Sequence, residues 1–178
     1  EGFGGLAADS YARVLNGVAC ALGTTGPGVT NLFTSIAAAW QDSSPVLFIG
    51  GQVKSADSTR LQGLSVRQYG TFEFDAIDTF SPITKYARLV NSPTNGVVDI
   101  EKALGKMQTN RPGPAYLEVP LDVQGKKLTS GLVHDVLQSL EGHGTEAEQG
   151  ITEIDIALND APLFILGAGV LKSRSIDK

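Results

Sequence analysis

Apolar residues at the start of the chain recur at intervals of three and four. Phe3, Leu6, Ala7, Tyr11, Val14 and Leu15 share one helical face, which predicts a helix. Asn16-Gly17 supplies its stop. Val18 to Leu22 is a short apolar run ending in glycine, the pattern of a strand buried on both faces of a parallel sheet. A second helix is expected from Val29 to Trp40, with Leu32, Phe33, Ile36 and Trp40 at helical spacing, and a second buried strand from Pro45 to Ile49. The chain then turns polar through about Gln68, a length that suits a functional loop better than a simple connection. Ile83 to Val90 reads as a strand. Ser92-Pro93 opens a helix over about Thr94 to Met107, and Ala115 to Val119 is a further strand closed by Pro120. Strands alternating with helices predict an α/β fold, an open parallel sheet with helices on both faces.

Past that strand the character changes. Residues 124–150 are rich in Gly, Ser, Thr, Gln, Lys and acids, with an apolar period only from Leu132 to Leu140, and are expected to be a linker. Ile151 to Leu158 then looks helical, and "APLFILGAGVLKS" looks like a strand entering a glycine turn. Residues 151–178 are thus read as the beginning of a second, Rossmann-like α/β domain that is incomplete here. A chain that begins at Glu1 instead of an initiator Met is expected to have sequence before it.

Composition narrows the partners. Of 178 residues, 42% are hydrophobic and 19% charged, enough for one sizeable core, and the formal charge of −5 with no basic run beyond Lys126-Lys127 disfavours nucleic acid and anionic membrane surfaces. No apolar run reaches the ~20 residues of a membrane span. The single Cys20 lies in an apolar stretch, so a buried, inert thiol and a reducing, cytoplasmic setting are expected. His134 and His143 fall in the linker and are given no catalytic part. No His, Cys or carboxylate cluster has metal-ligand spacing, so no metal site is assigned to this chain.

The glycine turn "GTTGPGVTN", Gly23 to Asn31, joins a strand to a helix and invites a phosphate-binding reading. It lacks the Lys-Ser/Thr pair of a P-loop and the GxGxxG spacing, and Pro27 removes one amide donor. What it offers is close backbone approach to something flat or bulky.

Five motifs in order carry a resemblance. Glu1 stands ahead of a Gly/Ala-rich helix ending in Tyr11-Ala12-Arg13. Thr25-Gly26-Pro27-Gly28 precedes Asn31, and Asp42-Ser43-Ser44-Pro45 leads into a strand that leaves through Gly51-Gln52-Val53. Pro82 to Lys85 reads Pro-Ile-Thr-Lys. Arg111 to Pro114 then leads to Pro120-Leu121-Asp122-Val123. Over residues 1–123 the chain resembles the pyrimidine-binding domain of thiamine diphosphate-dependent enzymes, most closely the acetolactate synthase-like branch, and "PLFILGAGV" is similar to the start of that family's central domain.

The resemblance implies a thiamine diphosphate-binding fold and a chain lacking the first part of its first domain, most of the central domain and all of the diphosphate-binding domain. It implies that Glu1 is catalytic, hydrogen-bonding the far ring nitrogen of the cofactor's aminopyrimidine in a dry site and so raising the basicity of the amino group. Thr25, Gly26, Pro27 and Gly28 would form a wall beside that ring, with Asn31 or Gln52 orienting polar edges. For Asn31 a helix-start hydrogen bond, and for Gln52 a plain loop role, stay open beside this. Tyr11 and Arg13 are read as a packing residue and a surface charge. Gly2, Gly4, Gly5, Ala7 and Ala8 would let a neighbouring element approach closely. Mg2+ would be held by the diphosphate domain, outside this chain, and FAD is admitted because some members carry it structurally. A homodimer or homotetramer follows, because in this family the cofactor lies between subunits.

The implied reaction is decarboxylation and carboligation of 2-keto acids, with pyruvate condensation first. Where the branch carries Phe-Gln-Glu-x-Asp, this chain has Thr71-Phe72-Glu73-Phe74-Asp75, which alters size and polarity near the site and bears on substrate choice. Another 2-keto-acid decarboxylase or carboligase, a noncatalytic flavin- or nucleotide-binding α/β module, and a degenerate regulatory homologue stand as alternatives.

Overall fold

The computed structural model describes residues 1–128 and Gly131. The linker past residue 128 apart from Gly131, the second domain, Leu132 to Leu140 and both histidines therefore lie outside the described residues.

Four strands, β1 (Ala19–Gly23), β2 (Val46–Gln52), β3 (Tyr86–Leu89) and β4 (Ala115–Pro120), form one wholly parallel sheet in the order β1-β2-β4-β3. Side chains alternate across the two faces, as the pleat requires. Val46, Phe48 and Tyr116 enter one core with Ala8 and Ala12 of α1 (Gly2–Leu15), Val29 of α2 (Pro27–Thr30) and Ile36 and Ala39 of α3 (Phe33–Gln41). Leu47, Ala115 and Leu117 enter the other with Ala103 and Met107 of α6 (Pro93–Gln108). The expected α/β sandwich is what forms.

The second expected helix is two. Gly26, at φ 64° and ψ −120°, takes a backbone conformation only glycine adopts readily, and Pro27 follows at the first helical position, starting α2. The residues 31–32 then turn the chain into α3. Between β2 and β3 the polar loop carries a 3-10 turn at Ser55–Asp57, the short α4 (Thr59–Gln62) and α5 (Ala76–Phe80). After β4 the chain enters α7 (Leu121–Gln124), which the pattern of apolar residues did not announce.

Two expectations about burial are corrected. Helix α1 turns its small residues inward: Gly5, Ala8, Asp9 and Ala12 are buried, while Phe3, Leu6, Tyr11, Val14 and Leu15 are exposed. The reason is distance. A Cβ on Gly5 would stand 2.0 Å from Ser35 Oγ and 2.6 Å from Ser35 Cβ, so α1 and α3 approach too closely for large side chains. Tyr11 is thus not a packing residue in this chain, whereas Arg13 is a surface charge, paired with Asp42 at 2.8 Å. Strand β1, second, lies at the edge of the sheet among the described residues and is buried on one face only. Its alternate residues Cys20 and Leu22 are exposed, so the thiol is not buried.

Candidate functional site

The loops that leave β1, β2 and β4 at their C-terminal ends gather on one edge of the sheet, the place where open parallel sheets hold ligands. Register sets the gathering. Gly23 pairs with Gly50 and Gln52 with Pro120, so the turn after β1, the exit of β2 and the start of α7 are neighbours. Asp122 ties the third loop down by accepting from the Ser55 N–H at 2.7 Å and the Ser55 hydroxyl at 2.9 Å. The Ser55 N–H, with the hydroxyl adding to it, holds the Asp122 carboxyl below its ordinary value against the opposing effect of burial.

Glu1 heads α1 beside this edge. Its backbone carbonyl accepts the first helical bond from Gly5, but its side chain does not cap the helix. The carboxylate instead faces the glycine turn. Asn31 Nδ2 donates to Glu1 Oε2 at 3.5 Å, and a Cβ on Gly28 would come within 3.1 Å of Glu1 Oε1 and 2.6 Å of Thr24 Cγ2. A Cβ on Gly2 would stand 3.1 Å from the Asn31 carbonyl oxygen. Glu1, Gly28 and Asn31 are therefore brought together from positions far apart in the chain, so closely that Gly2 and Gly28 leave little room for side chains of their own. The carboxylate is exposed in this chain alone.

Gln52 closes β2 beside the turn. It is buried, and its amide is spent within the protein: Oε1 accepts from Thr25 Oγ1 at 3.1 Å and from the Val53 N–H at 2.8 Å, while Nε2 donates to the Phe74 carbonyl at 2.8 Å. It braces Thr25, and so the turn, against the following loop. Of the small residues in α1, Gly2 and Gly5 permit close approach, whereas Gly4 has nothing within 4 Å of an added Cβ. It lines an open groove with Ala7, Ala8, Tyr11 and Cys20.

The loop before α5 is built around Glu73. One carboxylate oxygen accepts from the Thr59 N–H and hydroxyl, the other from the N–H groups of Tyr69 and Gly70. Burial would raise its pKa, but these four donors hold it below its ordinary value. Arg60 closes the same loop on Asp75 and Asp78.

One ionisable residue near the site has no counterpart among the sequence expectations. Glu118, at the centre of β4, is 1% exposed and takes a hydrogen bond from the Tyr116 hydroxyl at 3.3 Å. Burial pushes its pKa up to about 8 and the Asp75 charge adds to this, while the Gln52 amide, Tyr116 and Arg60 pull the other way. A signal for it exists: an acid inside the otherwise apolar run Ala115 to Val119.

Comparison with known proteins gives the following relatives. Residues 1–77 match the family described as thiamine pyrophosphate enzyme, N-terminal TPP binding domain. A probable acetolactate synthase large subunit of Methanococcus aeolicus is 34% identical over 176 residues, covering 94% of this chain and 28% of that protein. One of Methanocaldococcus jannaschii is 40% identical over 118 residues, 66% of this chain and 19% of its own length. A 2-hydroxyacyl-CoA lyase 2 of Danio rerio is 37% identical over 117 residues, 66% of this chain and 18% of that protein. The chain spans less than a third of the length of these relatives.

Proposed function

This chain belongs to the thiamine diphosphate-dependent enzymes through their N-terminal cofactor-binding domain, and from that premise we propose that it contributes Glu1 and the Thr25–Gly28 turn to decarboxylation and carboligation of 2-keto acids, pyruvate condensation foremost. The observation that carries the proposal is the Glu1 carboxylate set against a glycine cradle at the C-terminal edge of the sheet. The turn suits close approach of backbone to a flat heterocycle, since Gly28 carries no side chain beside the acid, where a Cβ would come within 3.1 Å of Glu1 Oε1. When bound, thiamine diphosphate supplies a nucleophilic carbon that attacks a carbonyl and takes up the electrons left by decarboxylation. Glu1 would hold a proton between its carboxylate and a ring nitrogen, a charge-assisted bond about twice as strong as a neutral one when water is excluded. Asn31 would fix the carboxylate's orientation through Oε2. Gly26, Pro27 and Gly28 would wall the ring, and Thr25 would keep that wall in place through Gln52.

The dry setting that this bond needs would come from surface beyond the described residues. A second copy of the chain, in a homodimer or homotetramer, would supply it. Mg2+ enters with the diphosphate, held outside the described residues, among which no group of three or more His, Cys, Asp or Glu could bind a metal. FAD would be a structural addition. The free thiol of Cys20 fits a reducing, cytoplasmic setting.

The test is Glu1→Gln in the complete protein, given thiamine diphosphate, Mg2+ and pyruvate. The fold should be unchanged by circular dichroism and carbon dioxide release should fall by about 10²–10⁴-fold, the usual worth of positioned acid-base catalysis. Near-normal turnover would refute the assignment.

A further inference from the structure

Among the described residues four other than glycine hold positive φ: Asn16, Ser43, Phe72 and Asn110. Two are asparagines, which tolerate the left-handed region, and Asn16 uses it to cap α1. Ser43 is buried and fixed by Arg111, whose Nε donates to its hydroxyl at 2.6 Å. Phe72 has neither excuse. At φ 60° it is a bulky residue in a conformation that suits glycine, and its side chain buries little, the residue being 62% exposed.

The surrounding loop enforces this conformation. Glu73 next door is held by its four donors, and the Phe74 carbonyl by Gln52. The Phe72 carbonyl accepts from Thr25 Oγ1 at 3.5 Å. Its backbone lies against the glycine turn, where a Cβ on Gly26 would fall 2.6 Å from Phe72 O and 2.8 Å from Phe72 Cβ. A ring held at a cost, rooted beside the Gly26–Gly28 wall and packed into no core, is a ring kept out for a ligand.

Resting on the reading of Glu1 and the turn given above, we infer that Phe72 is a specificity-determining residue that offers an apolar wall to the carbon substituent of the keto acid. It selects hydrocarbon substituents over hydroxylated ones, because an aromatic face repays burial of a methyl or ethyl group and leaves a hydroxyl without a partner.

Phe72→Gly and Phe72→Gln in the complete protein test this, with pyruvate, 2-oxobutanoate and 3-hydroxypyruvate as substrates. Both variants should lower kcat/KM for 2-oxobutanoate relative to 3-hydroxypyruvate by about tenfold or more. Thiamine diphosphate affinity, read by titration of the circular dichroism signal, should stay unchanged. Phe72→Gly should also keep or raise Tm, since it relieves the backbone, and leave the sedimentation coefficient as it was. A drop in Tm of several degrees, or a change of oligomeric state, would make Phe72 a packing or interface residue and overturn the inference. So would an unmoved substrate ratio in a wild type that binds the cofactor. A wild type that binds no thiamine diphosphate overturns this inference together with the reading it rests on.

Discussion

Glu118 is the residue whose chemistry is most altered by where it sits. A carboxyl of ordinary pKa near 4.5 is moved to about 8 inside the sheet, so the folded protein holds its proton over a range in which the unfolded chain has released it. The stability this proton confers is therefore full below about pH 4.5 and is lost as pH rises from there through about 8. Within that window each step of one in pH costs up to about 1.4 kcal/mol. Glu118→Gln, which keeps the shape and cannot ionise, should flatten that dependence and raise Tm at pH 8 relative to wild type while changing it little at pH 5. A parallel decline of the two proteins with pH would rule this out. Residues such as Glu118, Phe72 and Glu73 were only partly legible in the sequence. Their identity could be read, and an acid amid Ala115 to Val119 is a visible anomaly. What makes them matter is burial, a backbone angle and four converging donors, all of which depend on distant segments.

At the scale of the element, α1 shows that a periodic pattern can announce a helix without saying which side is buried. The apolar spacing from Phe3 to Leu15 predicts the helix, and the helix is there. The side facing the core was decided instead by the separation of α1 from α3, which only Gly5, Ala8 and Ala12 can meet. Two neighbouring glycines should thus respond in opposite directions. Gly4→Ala meets nothing within 4 Å and should stabilise by up to ~1 kcal/mol through helix propensity alone. Gly5→Ala drives a methyl into Ser35, whose hydroxyl is itself bonded to the Leu32 carbonyl at 2.8 Å. Overpacking of this kind costs about 1–3 kcal/mol, which exceeds the propensity gain, so a net loss is expected. Denaturant unfolding of the two variants decides the matter; shifts of the same sign would mean that the α1–α3 contact is not the constraint.

For the whole molecule, the parallel sheet with helices on both faces was legible because strand and helix patterns alternate along the chain. The strand order was not, since nothing local says that β4 inserts between β2 and β3. The same limit applied to the site. Glu1, Thr25, Gly28 and Asn31 were named from their motifs, but that Gln52 spends its amide holding Thr25 and Phe74 emerged only from the folded geometry. The proposed sharing of the site between copies leads to an expectation for the assembly: the complete enzyme should sediment as a dimer or tetramer, and a strict monomer with full activity would contradict it. The Glu73 knot has a separate consequence. Because it ties Thr59, Tyr69 and Gly70 to one carboxylate, the segment they bound is a self-fastened cassette, joined to the turn mainly through Thr25 and Gln52. Exchange of that cassette is therefore expected to alter what the proposed site admits while leaving Glu1 where it is.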